Sequence, residues 1–294
     1  MICGESSPAG RKTAWTRLSA TFNYYNQRSE LGLAQQTHMV NQTSPVPHGR
    51  GLKALLRWAA TQPILGNCLD PFARSFHYVW KCQHPGEDTG LGKPPERLVV
   101  LNLIESIRVG RELLLTEREA YCLYSAVART AKVKGAVAEV GVFQGASAKL
   151  ICEAKGGRHC YLFDTFEGLP DPAGVDNTAQ IRFSKGQFVV DVESVKNYLI
   201  NYEGVSIIKG MFPATAQFIT GANEFSFVHL DVDLYQSTRD AIEYFYPRMS
   251  RGGIIISHDY PFASGVRKAF DEFFHDKSEP VIELSENQCL IVKT

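Results

Sequence analysis

Ala136-Val-Ala-Glu-Val-Gly-Val-Phe-Gln-Gly-Ala-Ser147 begins as an apolar run, breaks into two glycines and continues into a helical pattern. A strand ending on Gly141 and Gly145 lets bare backbone approach a ligand, and the helix behind it turns unpaired N–H groups toward the same place. The stretch therefore predicts a strand, turn and helix within an α/β sheet, with a nucleotide-type pocket at the turn. Its spacing is Glu139-x-Gly141-x-x-x-Gly145, with Phe143 where a dinucleotide site would place its middle glycine. That disfavours a ligand held through a pyrophosphate.

Outward from this turn, strands and helices alternate. Strands are expected at 137–142, 159–163, 206–209, 225–230 and 252–257, with helical patterns near 146–155, 191–201, 213–221, 235–249 and 264–275. Such alternation predicts a doubly wound parallel sheet with helices on both faces. Residues 280–284 and 288–292, around Ser285-Glu-Asn287, read as a closing antiparallel hairpin, for about seven strands in all. Upstream, Thr116-Glu-Arg-Glu119 is a capping box followed by Ala120, Leu123, Tyr124, Val127, Ala128 and Ala131 at helical spacing, with Gly135 as the stop. The stretch 167–190 is long for a strand-to-helix connection, and a loop of that length is expected to act as a lid over the substrate.

The chain has 294 residues, 44% of them hydrophobic, enough for one large α/β domain at 96–294 and a mostly helical, partly flexible extension at 1–95. Thirty-one basic residues balance 31 acidic ones, and no basic stripe interleaved with aromatics appears, so nucleic acid is not an expected partner. A small molecule is. The pattern at 51–60 is a basic amphipathic helix, which packs on its own domain or on a second copy more readily than on a membrane surface. Residues 1–95 either complete the pocket or pair two copies into a homo-oligomer. Seven cysteines without paired spacing read as reduced, mostly buried thiols. With neither a leader-like apolar core nor a membrane-length apolar run, the expected location is the cytoplasm, and Asn41-Gln-Thr43 reads as a chance glycosylation match.

In an open α/β sheet the chemistry lies just beyond the carboxyl ends of the strands. After the second strand comes Asp164, whose carboxylate offers two acceptors to a vicinal diol. After the third come Gly210, Met211 and Phe212. The fourth and fifth lead into His229-Leu-Asp231-Val-Asp233 and His258-Asp259-Tyr260, which bring Asp231, Asp233, His258 and Asp259 toward one rim. Crowded carboxylates must be protonated, paired with cations or bound to metal, and hard oxygen donors suit Mg²⁺. Taken singly, Asp233 is an equally good cap for the helix that follows, and Asp259 for a turn.

The Glu-x-Gly form of the first motif resembles that of class I S-adenosylmethionine-dependent methyltransferases. Together with Phe163-Asp-Thr-Phe-Glu-Gly-Leu-Pro170, His229-Leu-Asp-Val-Asp-Leu-Tyr235, Gly252-Gly253 and Gly265-Val-Arg-Lys-Ala-Phe-Asp-Glu-Phe-Phe274, residues 97–294 resemble the macrocin O-methyltransferase family. The resemblance implies a Rossmann-like class I methyltransferase fold, S-adenosylmethionine and Mg²⁺ as cofactors, and a hydroxyl on a sugar or aromatic part of a natural product as acceptor. It implies Glu139, Gly141 and Ser147 at the methionine end, with Phe143 and Gly145 in the same turn. Asp164 falls at the ribose, with Thr165 beside it; from the residues alone, Gly210 permits a close approach and Met211 or Phe212 either lines an adenine face or packs in the core. Asp231, shared with the cofactor, and Asp259 fall at the metal, with His258 beside them as a candidate ligand, and Asp233, His258 and Asp231 form the catalytic set, in which Asp233 or His258 takes the hydroxyl proton. The chain departs from the family's common Asp-Asp-Tyr at His258-Asp259-Tyr260. Either His258 still ligates, moving the preference toward Mn²⁺ or a transition metal, or fewer protein ligands and more water hold the ion. Competing expectations are a catechol-type metal-dependent O-methyltransferase, a non-catalytic S-adenosylmethionine-binding protein, and a nicotinamide-dependent oxidoreductase, the last disfavoured by the glycine spacing and the terminal hairpin.

Overall fold

The computed structural model describes residues 95–179 and 181–294. The expectations for 1–94, among them the helix at 51–60, the glycosylation match and Cys3, Cys68 and Cys82, lie outside the described residues. Helices α1 (Pro95–Gly110) and α2 (Glu117–Arg129) precede the sheet. Then follow β1 (Ala136–Val140), α3 (Ala146–Ala154), β2 (Cys160–Asp164), α4 (Val192–Tyr198), β3 (Val205–Lys209) and β4 (Phe225–Leu230). The chain closes with α5 (Tyr235–Phe245), β5 (Met249–His258), α6 (Ser264–Phe274), β6 (Ile282–Glu283) and β7 (Gln288–Val292).

The seven strands form one sheet in the order β3-β2-β1-β4-β5-β7-β6. The first five in that order pair parallel, while β7 runs antiparallel between β5 and β6. Order reverses between β1 and β4, and at that point the loops diverge to opposite faces and leave a crevice. β1 and β4 are buried along their whole length, as the period-less apolar run at 136–140 requires of a central strand.

Alternation along β1 sends its side chains to two cores. Val137 joins Leu123, Val127, Leu150 and Ile151 beneath α2 and α3. Ala138 and Val140 face Ile242, Phe245 and Phe270 of α5 and α6. The second core is aromatic: Phe225 meets Phe245 edge-on at 4.9 Å, and Phe212 stacks on Phe245 at 5.1 Å. Cys152, Cys160 and Cys289 are buried free thiols, and Cys122 is half-buried. No described helix is long and apolar enough to cross a membrane.

Several boundaries move for identifiable reasons. β1 stops at Val140 because Gly141 turns the chain at φ +88°. The helix expected at 213–221 is a short 3₁₀ turn, Ala214–Phe218, confined between Pro213 and Gly221. α5 ends at Phe245 because Pro247 has no N–H to continue the ladder. The capping box at the start of α2 forms in full, with Glu119 N donating to Thr116 Oγ1 at 3.3 Å and Thr116 N to Glu119 Oε2 at 2.8 Å. Thr116→Ala is expected to cost about 1 kcal/mol, seen as a fall of roughly 2–4 °C in thermal midpoint.

Candidate active site

A cavity of about 440 Å³ opens at the carboxyl ends of β1, β2, β4 and β5, where the sheet order reverses. Its floor includes Gly141, Asp164, Asp231 and His258, and Phe143 and Ser147 stand at the start of α3. Thr165, Gly210, Met211, Asp233 and Asp259 also reach it. Among the described residues, six non-glycines have positive φ, and four of them, Phe143, Phe188, Asp233 and Asp259, line this cavity. Strained backbone of this kind persists only where the surroundings hold it, and it gathers at functional sites.

Two of the residues expected to contact a cofactor, Glu139 and Gly145, are not among those that line the cavity. Glu139 is fully buried and absent from the cavity lining, because odd-numbered side chains of β1 point into the core under α3. Its Oε1 lies 2.8 Å from Nδ1 of His229, the residue facing it across β4. Burial raises the Glu139 pKa, and the bonds to His229 and Ser147 pull the other way. Gly145 also stands back from the cavity, at φ +80° against Val195 of α4. Gly141 does allow a close approach, but of protein backbone: a Cβ there would lie 1.8 Å from the Asp231 carbonyl oxygen.

Asp164 faces the cavity while bracing its wall. Oδ2 accepts from Val142 N at 2.7 Å and Phe143 N at 2.8 Å, and Oδ1 from Phe166 N at 2.7 Å. A carboxylate has about four acceptor positions, so roughly one is left for a ligand hydroxyl where the sequence suggested two. Thr165 Oγ1 donates to Gly168 O at 2.9 Å and shapes the same turn.

The catalytic-type cluster sits at the ends of β4 and β5. His258 Nδ1 is 3.2 Å from both Asp231 Oδ1 and Asp259 Oδ1, and its Nε2 is 3.7 Å from Glu119 Oε1. Burial alone would lower the His258 pKa, but Asp231, Asp259 and Glu119 around it raise it well above the usual imidazole range. Burial likewise opposes ionisation of Asp231, yet the adjacent His258 holds its pKa below the ordinary value. Asp233 goes the other way, pushed well up by desolvation and by the neighbouring Asp231 and Asp259. One atom each from Asp231, His258 and Asp259 lies within 4.8 Å of the others, a spacing that fits a divalent cation.

Asp233 does not cap α5. The Tyr235 N–H at the helix start donates instead to Asp176 Oδ1 at 2.7 Å, from the middle of the 167–190 segment. Asp176 Oδ2 accepts from Ala173 N at 2.8 Å, and Ser264 Oγ of α6 donates to Val175 O at 2.6 Å. The segment is thereby pinned to the starts of α5 and α6. Its two arms join through Leu169 N to Gln187 O (2.8 Å) and Gly186 N to Leu169 O (2.9 Å). Ile181, Phe183 and Phe188 line the cavity from this side, and Phe188 meets Phe143 edge-on at 5.5 Å.

Sequence patterns gave no notice of the Leu113–Leu115 wall, of Phe262 or of Glu119 in this place. Leu113-Leu-Leu115 was visible only as a short apolar run outside any helical period, and Glu119 only as half of a capping box.

Residues 115–289 match the model of the macrocin-O-methyltransferase (TylF) family. The 8-demethyl-8-(2,3-dimethoxy-alpha-L-rhamnosyl)-tetracenomycin-C 4'-O-methyltransferase of Streptomyces olivaceus is 32% identical over 155 residues, 48% of this chain and 58% of that protein. Demethyldecarbamoylnovobiocin O-methyltransferase of Streptomyces niveus is 28% identical over 155 residues, with the same shares of 48% and 58%. The chain thus spans 58% of the length of these curated relatives. Among solved structures, the O-methyltransferase NovP superimposes with a TM-score of 0.54 at 20% identity, covering 78% of this chain and 99% of NovP. The calicheamicin methyltransferase CalS11 gives 0.51 at 18% identity, covering 71% and 98%. Both share the fold described above.

Proposed function

The chain belongs to the macrocin-O-methyltransferase family, and we propose on that premise that it transfers a methyl group from S-adenosylmethionine to a hydroxyl of a small natural product. The observation that carries the reading is the convergence of Asp231, Asp233, His258 and Asp259 on the cavity at the β1/β4 reversal. The two relatives named as O-methyltransferases of a rhamnosyl tetracenomycin and of a novobiocin precursor support a sugar or phenolic acceptor.

S-adenosylmethionine, when bound, supplies an electrophilic methyl on a cationic sulfur. Gly141 and Ser147 line the part of the cavity that suits its methionine end, the remaining acceptor position of Asp164 suits a ribose hydroxyl, and Gly210 and Met211 suit the adenine. Asp231, Asp259 and His258 would hold a divalent cation, Mg²⁺ by resemblance, which supplies a Lewis acid that lowers the pKa of the acceptor hydroxyl. Asp233 takes the hydroxyl proton, and burial beside Asp231 and Asp259 raises its pKa and with it its strength as a base. The pinned segment at 167–190 keeps water from the reacting atoms and orients the acceptor. Leu114 and Phe262, about half exposed at the rim, offer apolar contact to its bulk.

Calorimetric titration with S-adenosylhomocysteine, with and without a divalent cation, is expected to give micromolar binding. Absence of binding in both conditions would overturn the methyl-transfer reading. Incubation with S-adenosylmethionine and hydroxylated sugars or phenols then reads transfer as the mass gain of one methyl group.

A further inference from the structure

Glu119 has no part in the reading above, yet it is the carboxylate that stands behind the cation cluster. It occupies the third position of α2, is 1% exposed, and is fixed from two sides: Thr116 N donates to Oε2 at 2.8 Å and Asn287 N, from the hairpin between β6 and β7, to Oε1 at 2.7 Å. Oε1 faces His258 Nε2 at 3.7 Å. The other ring nitrogen, Nδ1, lies 3.2 Å from an oxygen of Asp231 and from one of Asp259.

We propose that Glu119 and His258 make this cluster a two-carboxylate, one-imidazole centre that prefers a nitrogen-binding divalent cation such as Mn²⁺ or Co²⁺ over Mg²⁺. The inference deepens the reading above and rests on its divalent-cation part. Ligand atoms about 2.1 Å from one ion at right angles are roughly 3 Å apart, close to the spacing of Nδ1 from each carboxylate oxygen. A carboxylate behind a ligating histidine keeps the ring proton on the far nitrogen, turns the near lone pair toward the ion and raises its basicity. At 3.7 Å, an ion-pair rather than a hydrogen-bond distance, the Glu119 charge is placed to do this for Nδ1. Imidazole discriminates strongly among divalent cations, favouring Co²⁺ and Ni²⁺ over Mn²⁺ and leaving Mg²⁺ to oxygen-only sites. Glu119 thus acts as a positioning residue, and the helix start that holds it is shared by fold and site.

Glu119→Gln removes the charge that holds the imidazole proton; glutamine can keep the capping-box bond from Thr116 N, but its amide N–H₂ then faces the Asn287 N–H that Oε1 had accepted. The test uses the chelator-treated full chain, titrated with Mn²⁺, Co²⁺ and Mg²⁺, with Mn²⁺ also observed by pulsed electron spin resonance for directly bound ¹⁴N. The expected result is a ¹⁴N coupling on Mn²⁺ and at least ~10-fold tighter binding of Co²⁺ than of Mg²⁺. Glu119→Gln should weaken Co²⁺ binding ~10–100-fold and, having lost one of its two N–H bonds, lower the thermal midpoint by a few degrees; Thr116→Ala, which loses a comparable bond but keeps the Glu119 charge, should leave Co²⁺ binding unchanged. His258→Asp should abolish the coupling and bring Mg²⁺ to parity. Absence of ¹⁴N coupling, equal affinity for Mg²⁺ and Co²⁺ in the parent chain, or unaltered Co²⁺ binding in Glu119→Gln each overturns the proposal. A parallel titration with S-adenosylhomocysteine separates the two readings. Binding of S-adenosylhomocysteine by a chain that shows no ¹⁴N-coupled Mn²⁺ overturns the metal inference alone, whereas ¹⁴N-coupled Mn²⁺ in a chain that does not bind S-adenosylhomocysteine upholds the metal centre and overturns methyl transfer.

Discussion

Asp233→Asn is expected to reduce kcat for methyl transfer by about 10²–10⁴-fold, the usual contribution of a positioned general base, while S-adenosylhomocysteine binds with nearly the parent affinity. The substitution preserves shape. Asparagine accepts the left-handed backbone that Asp233 adopts at φ +60°, and the start of α5 is capped by Asp176 rather than by Asp233. What is lost is the ability to take a proton. Burial and the neighbouring Asp231 and Asp259 raise the Asp233 pKa, and a base works in its deprotonated form. The parent kcat should therefore rise with pH through that elevated value, well above the range of an ordinary aspartate, and the variant should lose this limb. Unchanged kcat, or a fall in cofactor affinity as large as the fall in kcat, would remove Asp233 from the chemistry.

Gly141→Ala is expected to unfold the domain more readily than any single surface change. A Cβ at this position would lie 1.8 Å from Asp231 O and 2.7 Å from Asp231 C, and the backbone sits at φ +88°, where side chains are strained. Neither neighbour has room to move: Gly141 N donates to Phe163 O and Asp231 N to Val140 O, both at 2.9 Å. Overpacking and backbone strain together cost about 4 kcal/mol, which corresponds to a drop of roughly 10 °C in the melting midpoint. The shift should also carry Asp231 away from Asp259 and weaken cation binding. Gly156→Ala is the matched control, at φ +60° with nothing within 4 Å of the added Cβ. Equal destabilisation of the two variants would mean that strain alone matters and that the approach of β1 to β4 is not what requires Gly141.

Much of the domain follows from local pattern. The alternation from 136 to 292, the glycine turn after β1 and the closing hairpin were readable because each rests on periodicity or on a residue whose backbone freedom is special. Element ends were less so. Pro247 decides where α5 stops, and the turn at 214–218 is too short for its helical composition to prevail. At the site, a strand-end rule suffices to bring Asp231, Asp233, His258 and Asp259 toward one rim, since β4 and β5 are neighbours in the sheet. The same rule cannot say which way a strand residue faces. The expectation of Glu139 at the methionine end came from the resemblance and not from this rule; in the fold its carboxylate is buried beside His229 of the neighbouring strand β4.

The amino-acid sequence by itself determined the order and type of the elements and which carboxylates arrive at the strand ends, because hydrophobic period, capping and glycine placement act over a few residues. Tertiary structure alone decided what each carboxylate does there. Asp176 reaches the start of α5 from 59 residues away, Asn287 fixes Glu119 across 168, and the pKa values of Asp233 and His258 move with burial and with carboxylates that the fold gathers from β4, β5 and α2. Such couplings depend on distance in space, which no local pattern encodes.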